Sequence, residues 1–64
     1  MSLQWRKLNA VLRHMTEQEV LVLLNEERAG QRRPAILERL HQRYTTLRAT
    51  RERLEIMQEA LNEH

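Results

Sequence analysis

The chain has 64 residues, a formal net charge of +2, 31% charged residues and no cysteine. This length allows one small domain, and the lack of cysteine excludes disulfides and thiolate metal sites. Leu, Glu, Arg, Gln and Ala predominate, and these good helix formers predict an all-α fold. The longest apolar run, Val20–Leu24, has five residues, whereas a membrane-spanning helix needs about 20. We therefore expect a cytoplasmic protein with no membrane contact.

The first half of the chain predicts two helices. From Trp5 onward, apolar residues recur at spacings of three and four, which indicates a helix over about residues 3–14. Thr16 and Glu19 match a capping box placed directly before Val20–Leu24, so a second helix is predicted over 16–29. At about 100° per residue, the two apolar groups point roughly 120° apart. The first arm is therefore expected to bend or break near Thr16.

A corner is predicted at residues 30–33, followed by one long helix over 34–62. Gly30 is expected to end the second helix in the left-handed conformation. Pro34 suits the first turn of a helix, where its missing N–H would have no partner anyway. No other glycine or proline interrupts the chain.

The long helix carries a heptad-like apolar seam that two polar residues, Arg51 and Gln58, interrupt. A charged group in an apolar seam is costly unless it is paired. We expect Arg51 either to pair with a glutamate of the other arm, with Glu19 as the nearest candidate, or to extend its guanidinium into solvent.

The two arms, about 3–29 and 34–62, are nearly equal in length, so residues 1–64 are predicted to form one helical-hairpin domain. Pairing along the whole length would place Leu24 near Leu40 and Trp5 near Met57–Leu61. A hairpin leaves one side of each arm poorly covered, and a four-helix-bundle-like homodimer would cover it. The residues expected to mediate self-association are Leu8, Leu12, Leu23, Leu24, Leu37, Leu40, Tyr44, Leu47 and Leu54.

Charge is unevenly distributed, with a net +5 over residues 31–51 and a net −3 over residues 52–64. Arginine side chains at the corner and on the long helix could contact phosphates or an acidic partner. The same arginines would otherwise form a solvated charged face, partly paired with nearby glutamates. The arginines in question are Arg28, Arg32, Arg33, Arg39 and Arg43.

The sequence contains no phosphate-binding loop, nucleophile elbow or paired metal-ligand motif, so no catalytic activity, cofactor or metal is expected. The favoured function is that of a small, non-enzymatic interaction, adaptor or regulatory protein that self-associates, most simply as a homodimer, and binds a protein partner. The alternative is a nucleic-acid-binding regulator that uses the arginines of the corner. A third reading is a subunit or cap that folds around a specific protein.

Overall fold

A computed structural model describes residues 5–62 of the chain. Within this range it consists of three α-helices, α1 (Trp5–Leu12), α2 (Glu17–Ala29) and α3 (Pro34–Asn62), without a strand. The predicted all-α fold class is therefore confirmed. The predicted start of the first helix at residue 3 lies outside the described residues. None of the three helices is long and apolar enough to cross a membrane.

The break between α1 and α2 depends on Thr16, which precedes α2 in an extended conformation. The Thr16 Oγ1 accepts a hydrogen bond from the Glu19 amide at 3.2 Å, and the Glu19 Oε1 accepts one from the Thr16 amide at 2.9 Å. Both amides would otherwise lack a partner at the start of a helix. The predicted capping box is confirmed, and α1 ends at Leu12 rather than at residue 14.

The corner between α2 and α3 turns differently from the prediction. Gly30 has a φ of −105°, and the left-handed residue is instead Arg32, with a φ of 53°. The reversal comes at this later residue because the Arg32 amide donates a hydrogen bond to the Glu27 carbonyl at 3.0 Å. Gly30 is still suited to its position, since a Cβ there would lie 3.1 Å from the Glu26 carbonyl oxygen.

The hydrophobic core takes two buried side chains from each helix. Five further apolar side chains, among them Leu23 and Leu47, are partly buried against this core. The last residue of α3 that packs on the core is Leu47, so the core uses only the first half of α3. The six core residues are Leu8, Leu12, Val20, Leu24, Ile36 and Leu40.

Polar contacts fix the direction of α1 along α3. The Arg39 Nε donates a hydrogen bond to the Asn9 Oδ1 at 2.6 Å, and the Arg43 Nε donates one to the Leu12 carbonyl at 3.2 Å. The later residue of α1, Leu12, contacts the later residue of α3, Arg43, so α1 runs parallel to α3. The Leu12 carbonyl, at the end of α1, accepts a second hydrogen bond from the Met15 amide at 3.3 Å.

The expected proximity of Trp5 to Met57–Leu61 is wrong, because α1 turns back towards the corner. Asn9 contacts Arg39, and α3 rises about 27 Å between Arg39 and Met57 at 1.5 Å per residue. Trp5 is only about 6 Å from Asn9 along α1. The apolar pattern indicated a break in the first arm, but it carried no information about the direction taken after the break.

The second half of α3 extends beyond the rest of the molecule. The helix α2, with 13 residues, is about 20 Å long, whereas α3, with 29 residues, is about 43 Å long. The two run antiparallel, since Glu27 contacts Arg33 at the corner and Glu17 contacts Arg51 further along. Every residue of α3 from 48 to 62 is exposed. The molecule accordingly measures 55 × 22 × 15 Å.

Candidate interaction surface

An apolar stripe lies uncovered on the second half of α3. Leu54, Met57 and Leu61 are 63%, 57% and 72% exposed. At 100° per residue these three side chains fall within an arc of about 60°. The core residue Ile36 lies at the edge of this arc, and the second core residue of α3, Leu40, lies about 40° outside it. The uncovered stripe, defined here as Leu54, Met57 and Leu61, therefore adjoins the core-facing side of α3 and extends past the start of α2.

The boundary between the covered and uncovered halves of α3 is marked by Arg51. Its guanidinium donates to the Glu17 carboxylate at 2.8 Å and 3.2 Å, and to Glu55 on its own helix at 3.2 Å and 3.3 Å. Arg51 does pair with the other arm, but the expected partner Glu19 is wrong, because Glu19 is held in the capping box. The hydrogen bond from Arg51 is the main reason that the pKa of Glu17 is lowered.

Charges divide the exposed part of α3 into two halves. Residues 48–53 carry a net charge of +2, and residues 54–62 carry −2 without any basic side chain. Glu55 and Glu59 are one turn apart and repel each other, and their charge is unfavourable near the negative end of a helix dipole. Apart from the pairing of Glu55 with Arg51, the end of α3 is therefore helical without packing or favourable charge from the rest of the described chain.

The residues predicted to mediate self-association occupy three kinds of position. Four lie in the chain's own core, four are partly buried against that core, and Leu54 alone is largely exposed. Of these nine residues, a second copy could reach directly only Leu54 and the exposed fraction of the partly buried four. The core four are Leu8, Leu12, Leu24 and Leu40, and the partly buried four are Leu23, Leu37, Tyr44 and Leu47.

Arg33 is paired with Glu27 within the corner. The Arg33 Nε and Nη2 donate to the Glu27 carboxylate at 2.9 Å and 2.7 Å, and the Arg33 amide donates to the same carboxylate at 2.9 Å. The Glu27 side chain is only 9% exposed. These bonds, with the side-chain bond from Arg33 as the largest cause, lower the pKa of Glu27 to about 2. The pair ties the end of α2 to the start of α3.

The remaining arginines of the predicted contact set also make contacts within the chain. Arg39 and Arg43 hold α1 against α3, as described above. The Arg32 Nε donates to the Arg28 carbonyl at 2.9 Å, and the Arg28 Nη1 lies 3.5 Å from the Asn25 Oδ1. Of the five, Arg28 and Arg32 are exposed. The corner therefore does not present all five guanidinium groups to solvent.

A groove beside the corner has a volume of about 380 Å³ and mixes apolar and charged walls. Its apolar wall includes Leu8, Ile36 and Leu40, and its charged wall includes Glu27 and Arg33. Glu27 and Arg33 satisfy each other, which leaves Glu26 as the remaining charged residue in the lining of the groove. Within residues 5–62, no group of three or more His, Cys, Asp or Glu side chains could hold a metal ion.

The chain was compared with models of known protein families, with curated proteins and with solved structures, and none of these comparisons gave a match.

Met57 and Leu61, which form the uncovered stripe together with Leu54, were not among the residues predicted to mediate self-association. Met57 and Leu61 belong to the apolar face of α3, and a first arm that folds back would have predicted their exposure. Glu17 could have been proposed as a partner of Arg51 alongside Glu19. No sequence signal indicates the contact of Asn9 with Arg39, which depends on how α1 packs.

Proposed function

We propose that this chain is a small, non-enzymatic interaction protein that self-associates as a homodimer through the uncovered half of α3. The observation that carries the proposal is an exposed stripe of large apolar side chains that adjoins the core-facing side of α3. Leu54, Met57 and Leu61 are each more than half exposed. An exposed apolar stripe that extends an existing core is typical of a surface that another chain covers.

The physical state of the exposed half supports this proposal. Isolated helices shorter than about 12–15 residues are marginal in water, and residues 48–62 are about that long. The glutamates near the end weaken the helix further. Packing the uncovered stripe against another helix would stabilise this half, since about 25 cal/mol is gained for each Å² of apolar surface removed from water.

The small size of the core favours an identical chain as the partner. Six buried apolar side chains form the core, and a chain of this length removes a low fraction of its surface from water when it folds. Small domains without disulfides or metals commonly gain stability by oligomerisation. A homodimer would meet that need, and the outer faces of the dimer would remain available to a protein partner.

The nucleic-acid alternative has less support. Arg33 is paired with Glu27, and Arg39 and Arg43 bind groups of α1. A phosphate would have to displace these contacts or rely on the exposed Arg28 and Arg32 at the corner. We therefore do not adopt this function.

The proposal is tested by analytical ultracentrifugation of the full chain and two variants. Leu54→Glu places a charge in the uncovered stripe, and Ile56→Glu places the same charge about 200° away on α3. The two side chains are equally exposed, at 63% and 62%, so the variants are matched. We expect dimers of the wild type and of Ile56→Glu, and monomers of Leu54→Glu. A wild type that stays monomeric at high concentration would contradict the proposal, as would equal effects of both variants.

A further inference from the structure

We infer that α1 is a detachable helix, and that the surface it covers on the hairpin of α2 and α3 accepts a helix of a partner protein with the same apolar spacing. When α1 swings away about the linker of residues 13–16, its two buried leucines, Leu8 and Leu12, leave the core. The partner helix then inserts two leucines, four residues apart, in their place. This surface lies near the corner, away from the uncovered stripe, so the inference does not rest on the proposed self-association.

The hairpin of α2 and α3 is held together by contacts in which α1 takes no part. Ion pairs join the two helices at both ends of α2, where Glu27 contacts Arg33 at 2.7 Å and Glu17 contacts Arg51 at 2.8 Å. The turn between the helices is closed by a hydrogen bond of its own, from the Arg32 amide to the Glu27 carbonyl at 3.0 Å. The departure of α1 therefore leaves the contacts that define the hairpin in place.

The helix α1 itself is held by few contacts. It has eight residues, and a helix of this length is not stable alone in water. Leu8 and Leu12 are its only side chains in the core, at 1% and 0% exposure. Its polar contacts with α3 are the hydrogen bonds from Arg39 to Asn9 and from Arg43 to the Leu12 carbonyl. A segment with so few buried side chains opens at a lower free energy than the whole chain unfolds, so the open form is a minor but accessible state.

The linker between α1 and α2 permits this motion. The amides of His14 and Met15 donate to carbonyls in the last turn of α1, at 3.0 Å and 3.3 Å, so these two bonds move with α1. Thr16 is extended, and its capping box with Glu19 satisfies the start of α2 whether or not α1 is docked. Rotation about the linker therefore breaks no backbone hydrogen bond of either helix.

The contacts of α1 define the chemistry of the partner helix. The first leucine of α1 lines the groove beside the corner together with Leu23, Ile36 and Leu40, so these three side chains form an apolar socket. Arg39 offers a hydrogen bond to an acceptor one residue after that leucine. Arg43 reaches the carbonyl of the second leucine, in the last turn of α1, where a cation also suits the helix dipole. The surface therefore fits a helix that has leucines four residues apart, a polar acceptor after the first, and an end close behind the second.

A peptide with the sequence of residues 5–15 is the probe, titrated into the isotope-labelled full chain and followed by nuclear magnetic resonance. In the wild type, the tethered α1 competes at a high effective concentration, so the peptide should bind weakly. Asn9→Ala and Leu8→Ala weaken the docking of α1 and leave the surface beneath it intact. We expect both to bind the peptide more tightly, by about tenfold for Asn9→Ala, because apparent affinity increases with the fraction of open chains. Val11→Ala, at a position of α1 that is 51% exposed, is the matched control and should bind as the wild type does.

Two results of this titration would overturn the inference. One is a peptide that binds all four chains equally, or binds none of them. The other is loss of helix throughout the chain in Leu8→Ala, measured by circular dichroism, because the hairpin would then depend on α1. A variant that is merely less stable would bind the peptide less tightly, so tighter binding is the specific sign of an opened surface.

Further variants separate this surface from the uncovered stripe and from a second copy. In the Asn9→Ala chain, adding Leu54→Glu should leave peptide binding unchanged, and loss of binding would place the peptide on the stripe and overturn the inference. Wild-type dimers that Asn9→Ala abolishes in sedimentation would assign the surface to α1 of a second copy and overturn the choice of partner. Peptide binding does not require the wild type to dimerise, so the failure of the proposed function is a separate result.

Discussion

Arg51 of α3 donates two hydrogen bonds to Glu17 of α2, at 2.8 Å and 3.2 Å, close to the point where α2 begins. Glu17 is the first residue of α2, so this pair fixes how far α2 reaches along α3. Beyond it, α3 continues for about 11 residues without cover from the described chain. The pair therefore sets the boundary of the uncovered stripe.

Removing either member of this pair should lower stability slightly. In Arg51→Met and Glu17→Gln, one charge is lost while most of the side chain remains, and exposed ion pairs contribute little in water. We expect the losses in the free energy of unfolding to be less than additive in the double variant, because both changes remove the same interaction. Urea unfolding of the four chains measures this coupling. Strictly additive losses would show that the pair contributes nothing.

The free energy of unfolding should fall at acid pH, because the Glu27 carboxylate becomes protonated there. Its pKa is lowered from 4.5 to about 2 in the folded chain, chiefly by the side-chain hydrogen bond from Arg33. A lowered pKa means that the Glu27 carboxylate binds a proton less readily in the folded state than in the unfolded state. The stabilisation by this carboxylate is therefore complete above about pH 4.5 and is lost as the pH falls towards 2. Glu17, whose pKa is also lowered, contributes in the same direction.

The variant Glu27→Gln tests this assignment. We expect it to be less stable than the wild type at pH 7, and to lose less of its stability between pH 5 and pH 2. Glu26→Gln, at the exposed neighbouring position, serves as the control and should follow the wild type. Thermal unfolding at several pH values measures the difference. Parallel losses in Glu27→Gln and the wild type would refute the role given to the Glu27–Arg33 pair.

The loss in the free energy of unfolding caused by truncating a leucine of α3 should increase with the burial of that leucine. Leu40 is 2% exposed, Leu47 is partly buried and Leu54 is 63% exposed. Leu40→Ala is expected to cost about 2–5 kcal/mol, Leu47→Ala less, and Leu54→Ala roughly 0.5 kcal/mol or less in the monomer. Urea unfolding at low protein concentration provides these values. A loss at Leu54 as large as that at Leu40 would place the core elsewhere.

Nucleic acid should not bind with measurable affinity at about 50 mM salt, a concentration at which phosphate contacts are strong. The reason is that Arg33, Arg39 and Arg43 make contacts within the chain. Gel-shift assays with duplex DNA and with RNA test this expectation. Binding that weakens steeply with salt, and that Arg28→Gln or Arg32→Gln reduces, would revive the nucleic-acid alternative.

The local features of the fold could be predicted from the sequence because they depend on neighbouring residues. The capping box needs only Thr16 and Glu19, three residues apart. The start of α3 at Pro34 likewise follows from the geometry of proline. The left-handed Arg32 could not be predicted, because its conformation depends on a hydrogen bond that the turn itself creates.

The packing of α1 could not be predicted from the sequence for a different reason. The helix α1 could bury Leu8 and Leu12 against α3 whether it continued away from the corner or folded back towards it. The apolar pattern therefore does not distinguish the two directions of α1. The contacts of Asn9 with Arg39, and of Arg43 with the end of α1, make the difference. The exposure of the uncovered stripe is a consequence of that choice.

The central claim is that the second half of α3 is uncovered in the single chain and becomes covered by a second copy. Hydrogen exchange of backbone amides in the wild type, at low and at high protein concentration, tests it most directly. We expect amides of residues 36–47 to be protected at both concentrations, and those of residues 52–62 to be protected only at the high one. Rapid exchange over 52–62 at both concentrations, or equal protection there in the dilute monomer, would contradict the claim.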